Sequence, residues 1–297
     1  MPTAPMNRRV LAGLACLVIT ALLASTVAWL VPARAGEMTI DVLDVGQGDA
    51  ILLRSPEGKT VLIDAGDGYT DVLGELRARG VEHLDLVVAT HPHNDQIGGL
   101  AAVMAEIPVD RFMDNGMPHS NRAYLELTKI VESLGMTRLT AKRGQRIQLG
   151  SDATIEVLMP GPELLMDTRS NLNANSVVLR LEFHQHCMLF TGDAEPETER
   201  QLIAAGLEPC ELLKVAHKGS RYGTSQRFLD QLQPTIAVIS VSDDNRYHHP
   251  GEETLARLEQ AGVSTYRTDR HGDVRIVISE DGIRVETSAE GDTPVAD

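Results

Sequence analysis

Two histidines and an aspartate alternate along a short polar segment that directly follows an apolar strand. The segment reads Thr90-His91-Pro92-His93-Asn94-Asp95-Gln96 and comes after the predicted strand 84–89. In extended backbone every second side chain shares a face, so His91, His93 and Asp95 converge there, whereas helical spacing would spread them. Two imidazoles and a carboxylate suit Zn²⁺ or a neighbouring divalent ion such as Mn²⁺. The spacing therefore predicts a metal site; the alternative is a polar loop with unrelated histidines.

Further polar residues that suit a metal stand downstream, after other predicted strands. Asp193 follows the predicted strand 188–191, and His217 follows the predicted strand 212–215. In α/β sheets, functional groups lie at the carboxyl ends of the strands, so both side chains are candidates for the same site. His249, in a late loop, is another candidate. Taken singly, Asp193, like Asp64 at the end of an earlier predicted strand, is equally typical of a turn or helix cap, and His249 of a surface loop.

Two strand-rich halves, each flanked by helices, must bring these residues together. We expect strands at 38–44, 50–55, 60–64, 84–89, 109–113, 177–183, 188–191, 212–215, 235–241, 264–268, 274–279 and 283–286. Helices are expected at 71–79, 122–134, 195–205, 225–232 and 252–261, and a further helix begins near residue 97. A polar loop is expected at 160–175. This order predicts an α/β fold, a four-layer αββα sandwich that forms one domain over residues 36–288 and ends in a polar tail at 289–297.

The composition limits the class of protein and of partner. The chain has 297 residues, of which 42% are apolar and 3% aromatic, and 27 Lys+Arg against 42 Asp+Glu give a net charge of −15. Such a chain can bury a full core, but the net charge and the few aromatic residues do not favour nucleic acid as a partner held chiefly by electrostatics or stacking. We expect an anionic or small-molecule substrate and infer no protein partner.

The first 35 residues predict an export segment. Arg8 and Arg9 precede an uncharged stretch at 10–33, and Ala33-Arg34-Ala35 has the form of a cleavage site. The stretch is longer than the roughly 7–15 residues of a signal core and close to the roughly 20 of a membrane span, so a cleaved signal peptide and an uncleaved anchor both stay open at residues 1–35. In either case the domain is expected to be periplasmic or extracellular, and it contacts the membrane only if the segment is uncleaved.

Two cysteines lie in the predicted domain. Cys187 and Cys210 precede the strands that end near Asp193 and His217. If these strands are parallel neighbours, the cysteines stand level at the opposite end, within the roughly 4.4–6.8 Å Cα separation of a disulfide. A disulfide and a pair of buried thiols are both open.

Several segments, in the same order, resemble the metallo-β-lactamase superfamily and, within it, the C-terminal domain of the ComEC competence DNA-uptake proteins. Besides the histidine segment these are Asp44-Val45-Gly46-Gln47-Gly48-Asp49-Ala50, Leu62-Ile63-Asp64-Ala65-Gly66, Asn175-Ser176-Val177-Val178-Leu179, Thr191-Gly192-Asp193-Ala194-Glu195, Leu213-Lys214-Val215-Ala216-His217-Lys218-Gly219-Ser220 and Asn245-Arg246-Tyr247-His248-His249-Pro250. The resemblance implies a metal-dependent hydrolase with one or two Zn²⁺ or Mn²⁺ ions. The resemblance is to the C-terminal domain of those proteins and not to their membrane channel, so DNA uptake itself is not implied.

The resemblance also implies roles for individual residues. The metal ligands by this match are His91, His93, Asp95, Asp193 and His249. Asp193 is the carboxylate that can bridge two metals, and Asp95 binds metal or orients the attacking water. Asp64 supports the metal loop, while His217 faces the substrate or supports a ligand.

Three features depart from the family pattern. Gln96 stands where a histidine is usual, which predicts one tightly held ion and a weak second site, unless Gln96 hydrogen-bonds a ligand carboxylate instead. Asn173 and Asn175 stand where many relatives have a histidine, so Asn175 is at most a weak ligand. Lys218 replaces a histidine that often follows His217; it contacts an anionic substrate or is an ordinary solvated surface lysine.

Three functions stay open on this reading. The resemblance favours cleavage of phosphodiesters, DNA included, by a metal-bound hydroxide. Lactam or lactone hydrolysis would use the same metal and a carbonyl substrate. A metal-depleted binding module of the cell envelope is the third; Gln96 and Lys218 support it, and the retained ligands oppose it.

Overall fold

The computed structural model describes residues 36–291, so the predicted export segment at 1–35 and the last residues of the polar tail lie outside the described residues. Among residues 36–291, no helix is long and apolar enough to span a membrane.

Two sheets form the centre of the fold. The first contains β1 (Met38–Val42), β2 (Ile51–Arg54), β3 (Thr60–Ile63), β4 (Leu86–Ala89), β5 (Arg111–Asp114), β6 (Thr137–Thr140), β14 (Val274–Ser279) and β15 (Gly282–Thr287). The second contains β7 (Arg146–Gln148), β8 (Ala153–Met159), β9 (Val178–Phe183), β10 (His186–Phe190), β11 (Leu212–Lys214), β12 (Ile236–Ile239) and β13 (Ser264–Arg267). The strand orders are β15-β14-β1-β2-β3-β4-β5-β6 and β13-β12-β11-β10-β9-β8-β7.

Helices cover the outer face of each sheet. They are α1 (Val72–Ala78), α2 (Asn94–Ile97), α3 (Leu100–Glu106), α4 (Arg122–Ser133), α5 (Asn171–Ala174), α6 (Pro196–Ala204), α7 (Gln226–Leu232), α8 (Glu252–Gln260) and α9 (Thr268–His271). Neighbouring β4 residues show the layering, because Val88 packs between the sheets while Val87 packs with Leu76 of α1 and Leu127 of α4. On the other sheet, Phe228 of α7 packs in a separate outer core. The predicted α/β sandwich of two sheets is confirmed.

Parallel pairing brings the polar segments to one edge of the sandwich. Strands β3, β4 and β5 pair in parallel, as do β10, β11 and β12. Asp64 directly follows β3, the histidine segment follows β4, and Asp193 follows β10. Their convergence is the expected result of placing functional residues at the carboxyl ends of parallel strands.

The predicted polar loop at 160–175 contains a helical turn that the sequence pattern does not predict. The Ser170 side chain accepts a hydrogen bond from the Asn173 backbone N–H and caps α5. A helix of four residues is too short to produce an apolar period, so only the cap could have indicated it.

The two cysteines of the described domain form a disulfide. Strands β10 and β11 are parallel neighbours, with Met188 opposite Leu212. This pairing places Cys187 and Cys210 level with each other, with their Cα atoms 5.4 Å apart. The alternative of two buried thiols is therefore wrong in this structure.

Candidate metal centre

Three side chains from two sheets point their ligand atoms at one another. Nε2 of His91 lies 3.0 Å from Nδ1 of His93 and 3.6 Å from Oδ2 of Asp193. The ligand atoms of the three residues lie within 4.8 Å of one another. Two ligand atoms on a tetrahedral Zn²⁺ with bonds of about 2.0 Å stand roughly 3.3 Å apart, so the donor set and its spacing fit a single divalent ion.

A chain of hydrogen bonds fixes the orientation of His91. Asp64 accepts from the backbone N–H of Thr90 at 2.8 Å and from its hydroxyl at 2.6 Å. Because that hydroxyl proton is used, the Thr90 oxygen is free to accept from Nδ1 of His91, 3.2 Å away. Ser176 Oγ lies 3.3 Å from the same nitrogen. Protonation at Nδ1 leaves the lone pair of Nε2 for a metal, which is the usual arrangement around histidine ligands.

Glycines let the metal loop pack against the neighbouring turns. A Cβ at Gly48 would overlap the carbonyl oxygen of Asp95, and one at Gly99 would overlap that of Ala65. The Asp49 N–H donates to the same Asp95 oxygen at 3.3 Å. These close approaches explain why both segments carry glycine.

Lys218 is not a solvated surface lysine, and that expectation is wrong. Its side chain is 1% exposed, and Nζ lies 2.6 Å from Oδ2 of Asp95 and 2.9 Å from each carboxylate oxygen of Asp193. His217 and Lys218 both have positive φ, 51° and 53°, so the chain makes a tight left-handed turn after β11. The ammonium is thereby held between the two carboxylates.

Asp95 and Gln96 therefore take positions different from the predicted ligand roles. The Asp95 carboxylate pairs with Lys218 and is not part of the group of three ligand atoms. Gln96 is fully buried and donates from Nε2 to Oδ1 of Asp193 at 3.1 Å, which matches the alternative in which it hydrogen-bonds a ligand carboxylate. Its Oε1 has no hydrogen-bond partner among the described residues.

His217 lies beside Asp193 and is supported by an acid to which the sequence analysis gave no role. Its Nε2 is 3.6 Å from Oδ2 of Asp193, and its Nδ1 is 3.2 Å from Oε1 of the buried Glu195. Asn173 also approaches His217, with Nδ2 3.5 Å from Nδ1. Glu195 stands in the quoted Thr191–Glu195 segment, but its position as a helix N-cap concealed its side-chain contact.

His249 and Asn175 are not part of the group of three converging ligand residues. The His249 ring centroid is 5.4 Å from that of His217, and its Nδ1 faces Nε2 of Gln47 at 3.5 Å. This predicted ligand therefore lies beside His217 and outside the group of three ligand atoms. Asn175 uses its side chain to bind the backbone of Leu165 and Asn171, at distances of 2.7–2.8 Å, so it holds the polar loop and is not available as a ligand.

Burial and charge set the protonation of the site. Burial lowers the pKa of His91 to about 3 and that of His249 to about 4, so both imidazoles are neutral at pH 7. Burial alone would raise the pKa of Asp193 and lower that of Lys218, but their mutual attraction outweighs it and shifts both in the opposite direction. For His217 too, burial is outweighed by Asp193 and Glu195, which raise its pKa.

A cleft of about 790 Å³ opens beside His217 and His249. Its lining includes Arg169, Arg221, Tyr222, Tyr247 and His248, with Glu252 and Glu253 also in the wall. The guanidinium carbon of Arg169 lies 3.7 Å from the Tyr222 ring centroid, and that of Arg221 lies 4.9 Å from it. Tyr222 and Tyr247 are 45% and 54% exposed. Guanidinium groups and exposed aromatic rings therefore lie next to the candidate metal centre, together with two carboxylates.

Comparison with known proteins gives a family and a group of relatives. A family model described as the metallo-beta-lactamase superfamily matches residues 43–243. ComE operon protein 3 of Bacillus subtilis is 30% identical over 290 positions, which cover 89% of this chain and 36% of that protein. Competence protein ComA of Neisseria gonorrhoeae is 28% identical, with 84% and 34% covered. Recombination protein 2 of Haemophilus influenzae is 27% identical, with 83% and 30% covered. The chain spans about a third of the length of these relatives.

Solved structures share the fold at low sequence identity. Igni18, a metallo hydrolase from Ignicoccus hospitalis, has a TM-score of 0.54 at 18% identity and covers 80% of this chain and 98% of its own. CmlA, a diiron β-hydroxylase from Streptomyces venezuelae, has a TM-score of 0.52 at 16% identity, with 86% and 55% covered.

Proposed function

The chain belongs to the metallo-β-lactamase superfamily, and we propose that it is a metal-dependent hydrolase that cleaves phosphodiesters. The observation that carries the proposal is the convergence of His91, His93 and Asp193 on a volume that suits one divalent ion. Curated relatives named for competence and recombination support a nucleic-acid substrate over a lactam or lactone.

Each residue of the site has a separate role in the proposed reaction. His91, His93 and Asp193 would hold the ion, which supplies a Lewis acid and a water of lowered pKa. Lys218 keeps the Asp193 carboxylate ionised and oriented. His217, whose Nδ1 is paired with Glu195, can carry a proton at Nε2 beside Asp193 and deliver it to the leaving oxygen.

The neighbouring cleft supports a phosphodiester as substrate. Guanidinium groups such as Arg221 bind phosphate oxygens in bidentate fashion, and exposed tyrosines such as Tyr222 provide faces on which bases stack. A lactam or lactone needs neither. The net charge of −15 does not oppose this, because recognition depends on the local surface around the site, although Glu252 and Glu253 restrict where the phosphates can lie.

We further propose that the domain functions outside the cytoplasm. The disulfide between Cys187 and Cys210 supports this, since disulfides persist in oxidising compartments. Labelling of free thiols in whole cells, before and after reduction, would test it. Labelling of Cys187 and Cys210 without reduction, identified by peptide mass, would contradict the proposed compartment.

The test of the function is a substrate panel with paired variants. Purified protein loaded with Zn²⁺ or Mn²⁺ is assayed on a labelled single-stranded oligonucleotide, a bis-aryl phosphodiester, a lactam and a lactone. We expect phosphodiester cleavage in the wild type and its loss in His91→Ala. His184→Asn is the matched control, because His184 is exposed at a hairpin turn with φ of 55°, a conformation that asparagine tolerates. Turnover of the carbonyl substrates alone, or absence of bound metal, would reject the proposal.

A further inference from the structure

Lys218 occupies the position in which a second cation would bind the site's carboxylates. We propose that its ammonium replaces a second metal ion, so that the centre holds one ion and the lysine provides the other positive charge. This inference rests on the proposed function as a metal-dependent hydrolase. The sequence motifs alone do not show whether the positive charge of Lys218 lies inside the site.

The contacts of the ammonium are those that a bound cation would make. Nζ of Lys218 lies 2.6 Å from Oδ2 of Asp95 and 2.9 Å from both oxygens of Asp193. These are the two carboxylates that a second ion would share. A second ion shared by Asp95 and Asp193 would have to take the place between the two carboxylates that the ammonium already occupies.

Burial makes this cation a fixed part of the site. Lys218 is 1% exposed, as is Asp193. A buried charge is stable only when it is paired and hydrogen-bonded, and this ammonium has three carboxylate oxygens around it. Moving Lys218 away to admit an ion would require a new partner for its charge, so metal binding does not displace it easily.

Gln96 acts in the same direction from the other side of Asp193. Its Nε2 donates to Oδ1 of Asp193 at 3.1 Å, so the amide presents an N–H to this oxygen. Gln96 and Lys218 each stand where the family pattern has a histidine. Both direct a hydrogen-bond donor at the Asp193 carboxylate. These donors occupy lone pairs of the Asp193 oxygens that a second ion would need. Gln96 alone, with one hydrogen bond to Oδ1, would leave more of them free.

The structure therefore separates two causes of a single-metal site. If Gln96 were only a weak ligand, restoring a histidine there would be enough to recover a second ion. If Lys218 occupies the second position, Gln96→His alone leaves one ion bound, and only the further removal of the ammonium admits another.

The test measures bound metal in four proteins dialysed against the same Zn²⁺ buffer and, separately, Mn²⁺. These are the wild type, Gln96→His, Lys218→Arg and the double variant Gln96→His/Lys218→His. We expect one ion per chain in the first three and close to two in the double variant. Lys218→Arg is the matched control, because it retains the positive charge. The rise in thermal unfolding temperature on adding metal should also be larger in the double variant.

The metal contents distinguish a failure of the proposed metal-dependent function from a failure of the proposed role of Lys218. No bound ion in the wild type would reject the proposed metal-dependent function. Two ions in the wild type or in Gln96→His alone would overturn the role of Lys218, as would a folded double variant that still binds one. Electron paramagnetic resonance of the Mn²⁺-loaded wild type requires no variant: an isolated mononuclear signal supports the inference, and an exchange-coupled pair overturns it.

Discussion

Asp64 binds both the backbone N–H and the hydroxyl of Thr90, at 2.8 Å and 2.6 Å, although it is not one of the three converging ligand residues. The carboxylate is completely buried, and its residue has a φ of 58°. By fixing Thr90 it fixes the start of the histidine segment and the oxygen that receives Nδ1–H of His91. A residue outside the three converging ligands thus determines, through Thr90, the orientation of the His91 ring.

Asp64→Asn is expected to weaken metal binding without unfolding the protein. Asparagine accepts the positive φ, but its amide group presents N–H toward one of the two Thr90 donors. Loss of such an outer hydrogen bond lowers metal affinity about 10–100-fold. Competition with a chromogenic chelator measures the change. Asp67→Asn is the control, because the Asp67 carboxylate accepts from the Tyr69 N–H in a neighbouring turn and not from Thr90; equal affinities in both variants would contradict the role of Asp64.

Ligand removal is expected to abolish hydrolysis in a folded domain. His91→Ala should lose bound metal and activity while keeping the circular dichroism spectrum of the wild type, since the sheets support the loop. Asp193→Ala should do the same and should also destabilise the fold, because it removes one partner of the buried Lys218 ammonium. We expect a loss of about 3 kcal/mol in the free energy of unfolding for that reason.

Urea unfolding of metal-free wild type and Asp193→Ala measures this cost. The metal-free form is required so that lost metal binding does not enter the difference. Unchanged activity in either alanine variant would contradict the site, whereas an unchanged unfolding midpoint in Asp193→Ala would contradict the buried pair.

Much of the site follows from local patterns, but the orientation of Lys218 does not. The alternation of His91 and His93 after an apolar strand is sufficient to predict a metal site, and parallel strands explain why Asp193 joins them. Lys218 points inward because two successive residues have positive φ and because Asp95 and Asp193, distant in sequence, supply its counter-charge. Neither condition has a local signature. The same holds for Glu195, whose contact with His217 depends on the packing of two separate elements.

Removal of the disulfide is expected to reduce stability and spare the site. The bridge joins residues 23 apart in sequence, for which loop-closure entropy gives about 3 kcal/mol of stabilisation. Cys187→Ala/Cys210→Ala should therefore unfold at lower urea concentration than the oxidised wild type, and at nearly the same concentration as the reduced wild type. Metal content should be unchanged, because the bridge lies at the opposite end of the strands from Asp193. A variant that loses metal in its folded state would show that the two ends are coupled.

The cleft predicts how the substrate's size affects catalysis. Tyr222 is 45% exposed, and the guanidinium carbons of Arg169 and Arg221 lie 3.7 Å and 4.9 Å from its ring centroid, so an exposed aromatic ring stands beside two cations at the edge of the candidate metal centre. Tyr222→Ala should raise KM for a single-stranded oligonucleotide about tenfold, because one stacked base is lost. It should leave kcat/KM for a bis-aryl phosphodiester nearly unchanged, since that substrate reaches the metal without filling the cleft. Leu134→Ala, which removes a 52% exposed side chain outside the cleft lining, is the control. Parallel losses on both substrates would mean that Tyr222 supports the metal centre itself, and no loss on either would place the nucleic-acid path elsewhere on the surface.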